Sequence, residues 1–122
     1  IASAETAALY GLEVLVPSIN TDGDNTTRFI VLSREKPTAG NRFSLLFTVD
    51  NKPGKLAEVI QIIGASGFNM ESIKSRPMPH VPFEYYFYVE LVGDPTADET
   101  AALLRELDRT CRTVRLLGVY TK

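Results

Sequence analysis

The chain has no tryptophan, one cysteine and one histidine in 122 residues. A lone Cys111 cannot close an internal disulfide, so packing alone must hold the fold, and nothing points to an oxidising compartment. With Cys111 and His80 as its only thiol and imidazole, the chain is not expected to build a Cys/His metal site, and no pattern calls for an organic cofactor. Charge of one sign is missing too. A net charge of −2 gives no electrostatic footprint for nucleic acid or an anionic membrane. No apolar run approaches the ~20 residues of a membrane span. The start has neither the basic residues nor the compact apolar block of a signal peptide. A cytosolic protein is therefore the expectation. An initiating methionine is also absent: the chain opens on Ile1-Ala-Ser3, which suggests a piece of something longer.

What is present is ordinary globular material, 44% hydrophobic and 23% charged. This length suits one good core, or one domain plus a fragment. The stretch from Phe43 to Pro77 organises the rest. Phe43 to Val49 is an apolar, β-rich run that predicts a buried strand. Asp50-Asn-Lys-Pro-Gly54 breaks it, because Pro53 fixes φ and lacks a donor while Gly54 frees the backbone. Leu56, Val59, Ile60 and Ile63 then fall on one helical face. Gly64 and Gly67 loosen and stop that helix, and Asn69 to Ser75 reads as a second strand.

A strand that feeds a helix through a tight Pro-Gly turn leaves unpaired N–H groups at the helix start. Those groups and the helix dipole attract a carboxylate. Asp50 and Asn51 can accept from an ammonium group. The turn therefore has the chemistry to hold both charges of a free amino acid. On residue types alone, an ordinary strand–helix connection is the simpler account.

From Pro77 to Pro82, three prolines within six residues exclude regular structure, and His80 in that loop reads as a solvated side chain. Tyr85 to Val92 alternates as a strand, with Phe87, Val89 and Leu91 facing the helices. Its aromatics suit a β-strand core better than a base-stacking platform, since no basic groove accompanies them. Gly93 to Thr96 is a turn, and a helix starts near Asp98 or Glu99 with Leu103, Leu104, Leu107 and Cys111 on its apolar face. Cys111 is then a small core residue, not a nucleophile. Thr113 to Tyr120 is the last strand. The order strand–helix–strand–strand–helix–strand is the ferredoxin-like βαββαβ motif of the α+β class: a four-stranded antiparallel sheet with both helices on one face.

The opening third is thinner. Ser3 can cap a helix over Ala4 to Tyr10 that Gly11 ends. Leu12 to Val16 alternates as a short strand closed by Pro17, Ser18 to Thr26 is a polar loop, and Thr27 to Ser33 reads as another strand. So little apolar area would leave faces uncovered, so this part looks like the end of a larger domain. The expected division is 1–35 for that remnant, 36–42 for a linker through Lys36-Pro-Thr-Ala-Gly-Asn41, and 43–121 for the second domain.

Pro53-Gly-Lys-Leu56, the Gly67-Phe-Asn69 turn and Ser75-Arg-Pro77 resemble the ACT regulatory domain of prephenate dehydratases. There the pattern is Pro-Gly-Ala-Leu, a helix, Gly-Ile-Asn, then Glu-Ser-Arg-Pro. The likeness continues through Phe83-Glu-Tyr-Tyr-Phe-Tyr88 to Leu116-Leu-Gly-Val-Tyr120. Tyr10-Gly-Leu-Glu-Val-Leu15 and Asn25-Thr-Thr-Arg-Phe29 resemble the close of the catalytic domain of the same enzymes, so that remnant would be α/β.

The resemblance implies a phenylalanine-binding module that confers feedback inhibition on an enzyme converting prephenate to phenylpyruvate, water and carbon dioxide. It implies contacts from Asp50, Asn51 and the Pro53, Gly54, Lys55, Leu56, Ala57 turn to the ligand's charges. Phe68, Asn69 and Met70 would add packing and a polar contact, and Ser75 and Arg76 keep the motif. It also implies a side-by-side homodimer with the ligand at its interface, and a tetramer as a further step in the intact enzyme. Thr27 maps onto an active-site threonine able to assist a leaving hydroxyl, and Arg28 has the chemistry of a carboxylate partner. On residues alone, Thr26 and Thr27 simply begin a strand. Lys55 and Lys74 depart from the family's Ala and Glu, so a ligand-free structural dimerisation module stands as the alternative. The fragment itself should not catalyse, because most of the dehydratase domain is missing.

Overall fold

The computed structural model describes residues 1–21, 23–24, 26–35 and 39–121. They fall into two compact units, Ile1–Leu32 and Ser33–Lys122.

The first unit holds one helix, α1 (Ala4–Tyr10). Ser3 Oγ accepts from Thr6 N at 3.4 Å, and Gly11 ends the helix at φ 61°, in the left-handed region that suits glycine. The strands expected over Leu12–Val16 and Thr27–Ser33 do not form. A strand needs a ladder partner, and alternating β-branched residues without one stay irregular. Leu15, Phe29 and Leu32 are exposed at 86%, 85% and 92%, so their apolar character finds no cover among the described residues. Asn25, inside one of the quoted motifs, and Lys36 to Thr38 of the expected linker lie outside the described residues.

The second unit carries β1 (Arg42–Thr48), α2 (Lys55–Ala65), β2 (Asn69–Pro77), β3 (Tyr85–Val92), α3 (Asp98–Thr110) and β4 (Thr113–Tyr120). The strands form one antiparallel sheet in the order β2-β3-β1-β4. This is the ferredoxin-like α+β arrangement, with β1 beginning and ending one residue earlier than expected. Phe43, Leu45 and Phe47 of the central β1 are fully buried and share a core with Val89 and Leu91 of β3, Val59 and Ile63 of α2, and Leu103 and Leu107 of α3. Both helices therefore cover the same face of the sheet. Each such side chain contributes about 1.5–3 kcal/mol on burial.

In α2, Ile60 is 40% exposed, whereas Ile62 packs on the core. The two flank the Val59–Ile63 axis on opposite sides at nearly equal angles, so periodicity cannot choose between them. In α3, Thr100 is buried and its Oγ1 donates to Asp94 O at 2.6 Å. The Asp94 carboxylate accepts from Thr96 N and Oγ1 at 2.8 and 2.7 Å, which shapes the turn into the helix. Leu104 and Cys111 are partly buried against the core.

β2 and β4 are the edges of the sheet. β2 breaks register between Met70 and Ser72, and Glu71 at that bulge pairs with Arg42 at 3.0 Å.

Candidate functional site

The turn between β1 and α2 is built from short local bonds. Lys52 N donates to Asp50 O at 2.7 Å, and Lys55 N donates to Lys52 O at 3.3 Å across Pro53 and Gly54. Gly54 sits at φ 84°, a conformation other residues adopt only at a cost. The first α-helical bond runs from Glu58 N to Gly54 O at 2.9 Å. The N–H groups of Leu56 and Ala57 precede that bond and lie at the positive end of the helix. Gly54 has no side chain to cap them.

Asp50 opens the turn and lines the same cleft as Leu56. Its Oδ1 accepts from Arg112 Nε at 2.5 Å, and Lys52 Nζ lies 3.6 Å from Oδ2. The Arg112 hydrogen bond, aided by its charge and then by Lys52, holds the Asp50 carboxyl below its ordinary 3.8. Arg112 Nη1 also binds Glu84 Oε1, and Arg112 N donates to Thr48 O at 2.9 Å. Lys55 Nζ pairs with Glu58 Oε2 at 2.8 Å, and that bond raises the lysine's pKa. The residue that departs from the family's alanine is thus tied down on its own helix.

A cleft of about 90 Å³ opens beside the turn. Val49, Leu56, Phe83, Tyr85 and Phe87 give it apolar walls, and Asp50 and Glu84 put carboxylates at its edge. Phe47 stacks on Phe87 with centroids 5.3 Å apart, which fixes the cleft's floor to the core. Phe83 and His80, in the loop between β2 and β3, both take positive φ near 64°.

The expected site residues separate into two groups. Asp50, Asn51 and Leu56 line the cleft, with Pro53, Gly54, Lys55 and Ala57 in the turn and first helical turn. Ser75 and Arg76 lie at the same end of the sheet, registered against Phe87 and Tyr86, and Arg76 Nη1 donates to Ser75 O at 3.2 Å. Phe68, Asn69 and Met70 lie at the opposite end, since Asn69 registers with Val92 and Val92 with Arg42. A seven-residue strand separates the groups by about 20 Å. Phe68 meets Phe43 edge-on at 5.6 Å, and Met70 packs on the core. One chain does not bring the two groups together.

Thr27 and Arg28 are exposed and lie outside any helix or strand. Burial pushes the half-buried Cys111 thiol up to about 11, which fits a packing residue. Among the described residues no helix is long and apolar enough to cross a membrane.

Sequence reasoning missed Glu84 and Arg112. No local pattern marks either one: the ion pairs join positions 62 and 28 residues apart. Phe83, Tyr85 and Phe87 stood in a family motif, the latter two as strand residues, and none as a cleft wall.

A βαββαβ sheet with a glycine-capped helix and an apolar-walled cleft at the end of its first strand defines an α+β domain of the ferredoxin-like class. The ACT domain family model matches residues 43–109, more than half of the chain, and the chain belongs to that family. The prephenate dehydratase model matches residues 1–37.

The whole chain is similar to the bifunctional chorismate mutase/prephenate dehydratase of Aquifex aeolicus, 34% identical over 124 residues, covering 100% of this chain and 34% of that protein. The structure of a prephenate dehydratase in complex with L-Phe from Arthrobacter aurescens superposes with a TM-score of 0.61 at 25% identity, covering 79% of this chain and 31% of that one. A structure described as GqqA, a novel type of quorum quenching acylase, gives 0.60 at 29% identity, covering 76% and 47%. The chain spans about a third of the length of the curated relatives it matches, from 34% to 39%.

Proposed function

We propose that residues 43–121 form a regulatory domain that binds L-phenylalanine, joined through 36–42 to the catalytic-domain remnant 1–35 of a prephenate dehydratase. The observation that carries this reading is the start of α2 at Leu56 and the Asp50 carboxylate lining one cleft with apolar walls. The amides suit the ligand's carboxylate, Asp50 and Asn51 its ammonium, and the walls its ring. The L-Phe complex of the Arthrobacter relative supports the choice of ligand.

The cleft is smaller than the ~300–1,000 Å³ of a full small-molecule site. Pairing of two β2 edges in antiparallel fashion, side by side, would carry the partner's Phe68–Met70 end to the turn. The exposed Ile60 and Ile73, each at 40%, suit burial on that side. The ligand then favours one arrangement of the homodimer and inhibits the parent enzyme by its differential affinity, typically about 1–3 kcal/mol. In the intact enzyme such dimers would pair into a tetramer. Thr27 and Arg28 would serve prephenate only within a complete catalytic domain, against which the exposed apolar run Phe29 to Leu32 would pack.

Isothermal titration with phenylalanine, tyrosine and tryptophan tests the reading. Heat with phenylalanine, at about one ligand per chain, is expected. No heat with any of them would favour the ligand-free dimerisation module, and tyrosine outcompeting phenylalanine would change the ligand. Sedimentation equilibrium with and without the amino acid tests the dimer.

A further inference from the structure

We propose that Arg112 is a positioning residue for this site: it fixes the Asp50 carboxylate toward the cleft and ties the cleft's two rims together. The proposal rests on the amino-acid reading above. Arg112 begins the passage from α3 into β4, and three bonds hold it there. Its backbone N–H donates to Thr48 O at 2.9 Å, its Nε to Asp50 Oδ1 and its Nη1 to Glu84 Oε1. Asp50 belongs to the β1–α2 turn, Glu84 to the end of the β2–β3 loop, and both line the cleft. Both lie three residues beyond the last rung of the β1–β3 ladder, Phe47↔Phe87, so one guanidinium ties the two chain segments together past the end of that ladder.

The fork geometry matters here. Arginine presents several donors in one rigid plane, so it can serve two carboxylates at once, which an ammonium group does only loosely. It uses Asp50 Oδ1 and leaves Oδ2, where Lys52 Nζ at 3.6 Å is beyond hydrogen-bond range. A carboxylate has about four lone-pair sites, so Asp50 can accept from a ligand ammonium without losing Arg112. Asp50 and Glu84 share one guanidinium, and Lys52 Nζ, 3.6 Å from Asp50 Oδ2, adds a second positive charge on an exposed, solvent-screened side chain. Without Arg112 the turn and the loop lose their common anchor, and two like charges face each other.

The test compares L-phenylalanine with 3-phenylpropanoate, which has the same ring and carboxylate but no ammonium. Both are titrated into the full chain and followed by the NMR shifts of the Leu56 and Ala57 amides, which read millimolar binding. Arg112→Gln is expected to weaken phenylalanine about tenfold and to leave 3-phenylpropanoate within twofold of the parent chain. Arg112→Lys should fall between Gln and the parent, and it carries the test if the Gln variant does not fold. Asp50→Asn with Arg112→Gln should bind phenylalanine no worse than Asp50→Asn alone. Phenylalanine affinity unchanged in both Arg112 variants would overturn the proposal, as would parallel loss of both ligands, which marks a merely structural role. A parent chain that binds neither compound would instead overturn the amino-acid reading itself, and this proposal with it.

Discussion

Gly93→Ala should expose how tightly the Phe68 end of the domain is packed. A Cβ at position 93 would lie 2.6 Å from Phe68 Cε1, 2.9 Å from Phe68 Cδ1 and 3.4 Å from Phe43 Cε1. The first two distances are below any normal contact, so the Phe68 ring must move. It leans edge-on against Phe43, whose own ring is fully buried and cannot retreat. Overpacking of this kind costs about 1–3 kcal/mol. Phe68 is only half-buried, so the lower half of that range is expected. Offsetting it, alanine restricts the unfolded chain by about 0.4–1 kcal/mol. The net loss should be about 1 kcal/mol, or roughly 4–8 °C in Tm for a domain of this size.

The decisive measurement is a double-mutant cycle in urea. Phe68→Ala alone should cost about 2 kcal/mol, around half of a fully buried Phe→Ala. In that background Gly93→Ala should become neutral or slightly stabilising, because nothing is left to collide with. A coupling of about 1–2 kcal/mol between the two sites is expected. If Gly93→Ala costs the same in both backgrounds, the Phe68 contact is not its cause and the packing argument fails.

Three further outcomes follow from the same geometry. Gly54→Ala meets no atom within 4 Å but must keep φ near 84°, so it should cost about 1–2 kcal/mol in urea unfolding and weaken phenylalanine as well. Because the folded Asp50 carboxyl lies below its ordinary 3.8, its share of stability is present above that value and fades as pH falls through the lowered one. Acid titrations should therefore show a shallower loss below pH 3.8 for Asp50→Asn, and carbon-detected NMR should show Asp50 titrating closer to 3.8 in Arg112→Gln. Cys111, raised to about 11, should react with iodoacetamide at pH 8.5 far more slowly than a thiol in the urea-unfolded chain. Equal rates would place it outside the core.

The domain from Arg42 to Tyr120 was legible because its strands and helices carry their own periodicity and punctuation. Pro53 and Gly54 mark the turn, and Phe87, Val89 and Leu91 declare a face that the structure buries. The opening third misled. Leu12 to Val16 and Thr27 to Ser33 have β-forming residues, but a strand is a property of a pair, and neither segment is laddered among the described residues. The α2 face was right at Val59 and Ile63 and wrong at Ile60, where the neighbours decide and not the period. The turn was readable as chemistry. Its tether to Arg112 was not, because that contact arises only once β4 is laid beside β1.

The length of β1 has a consequence for how ligand responses should be read. If the turn and the Phe68 end both touch one amino acid, no isolated chain can offer a complete receptor. Half-saturation would then drift downward as the protein is concentrated, and dilution would release ligand even at constant free phenylalanine. Symmetry would also make such receptors come in twos, so occupancy of the first alters the environment in which the second is filled.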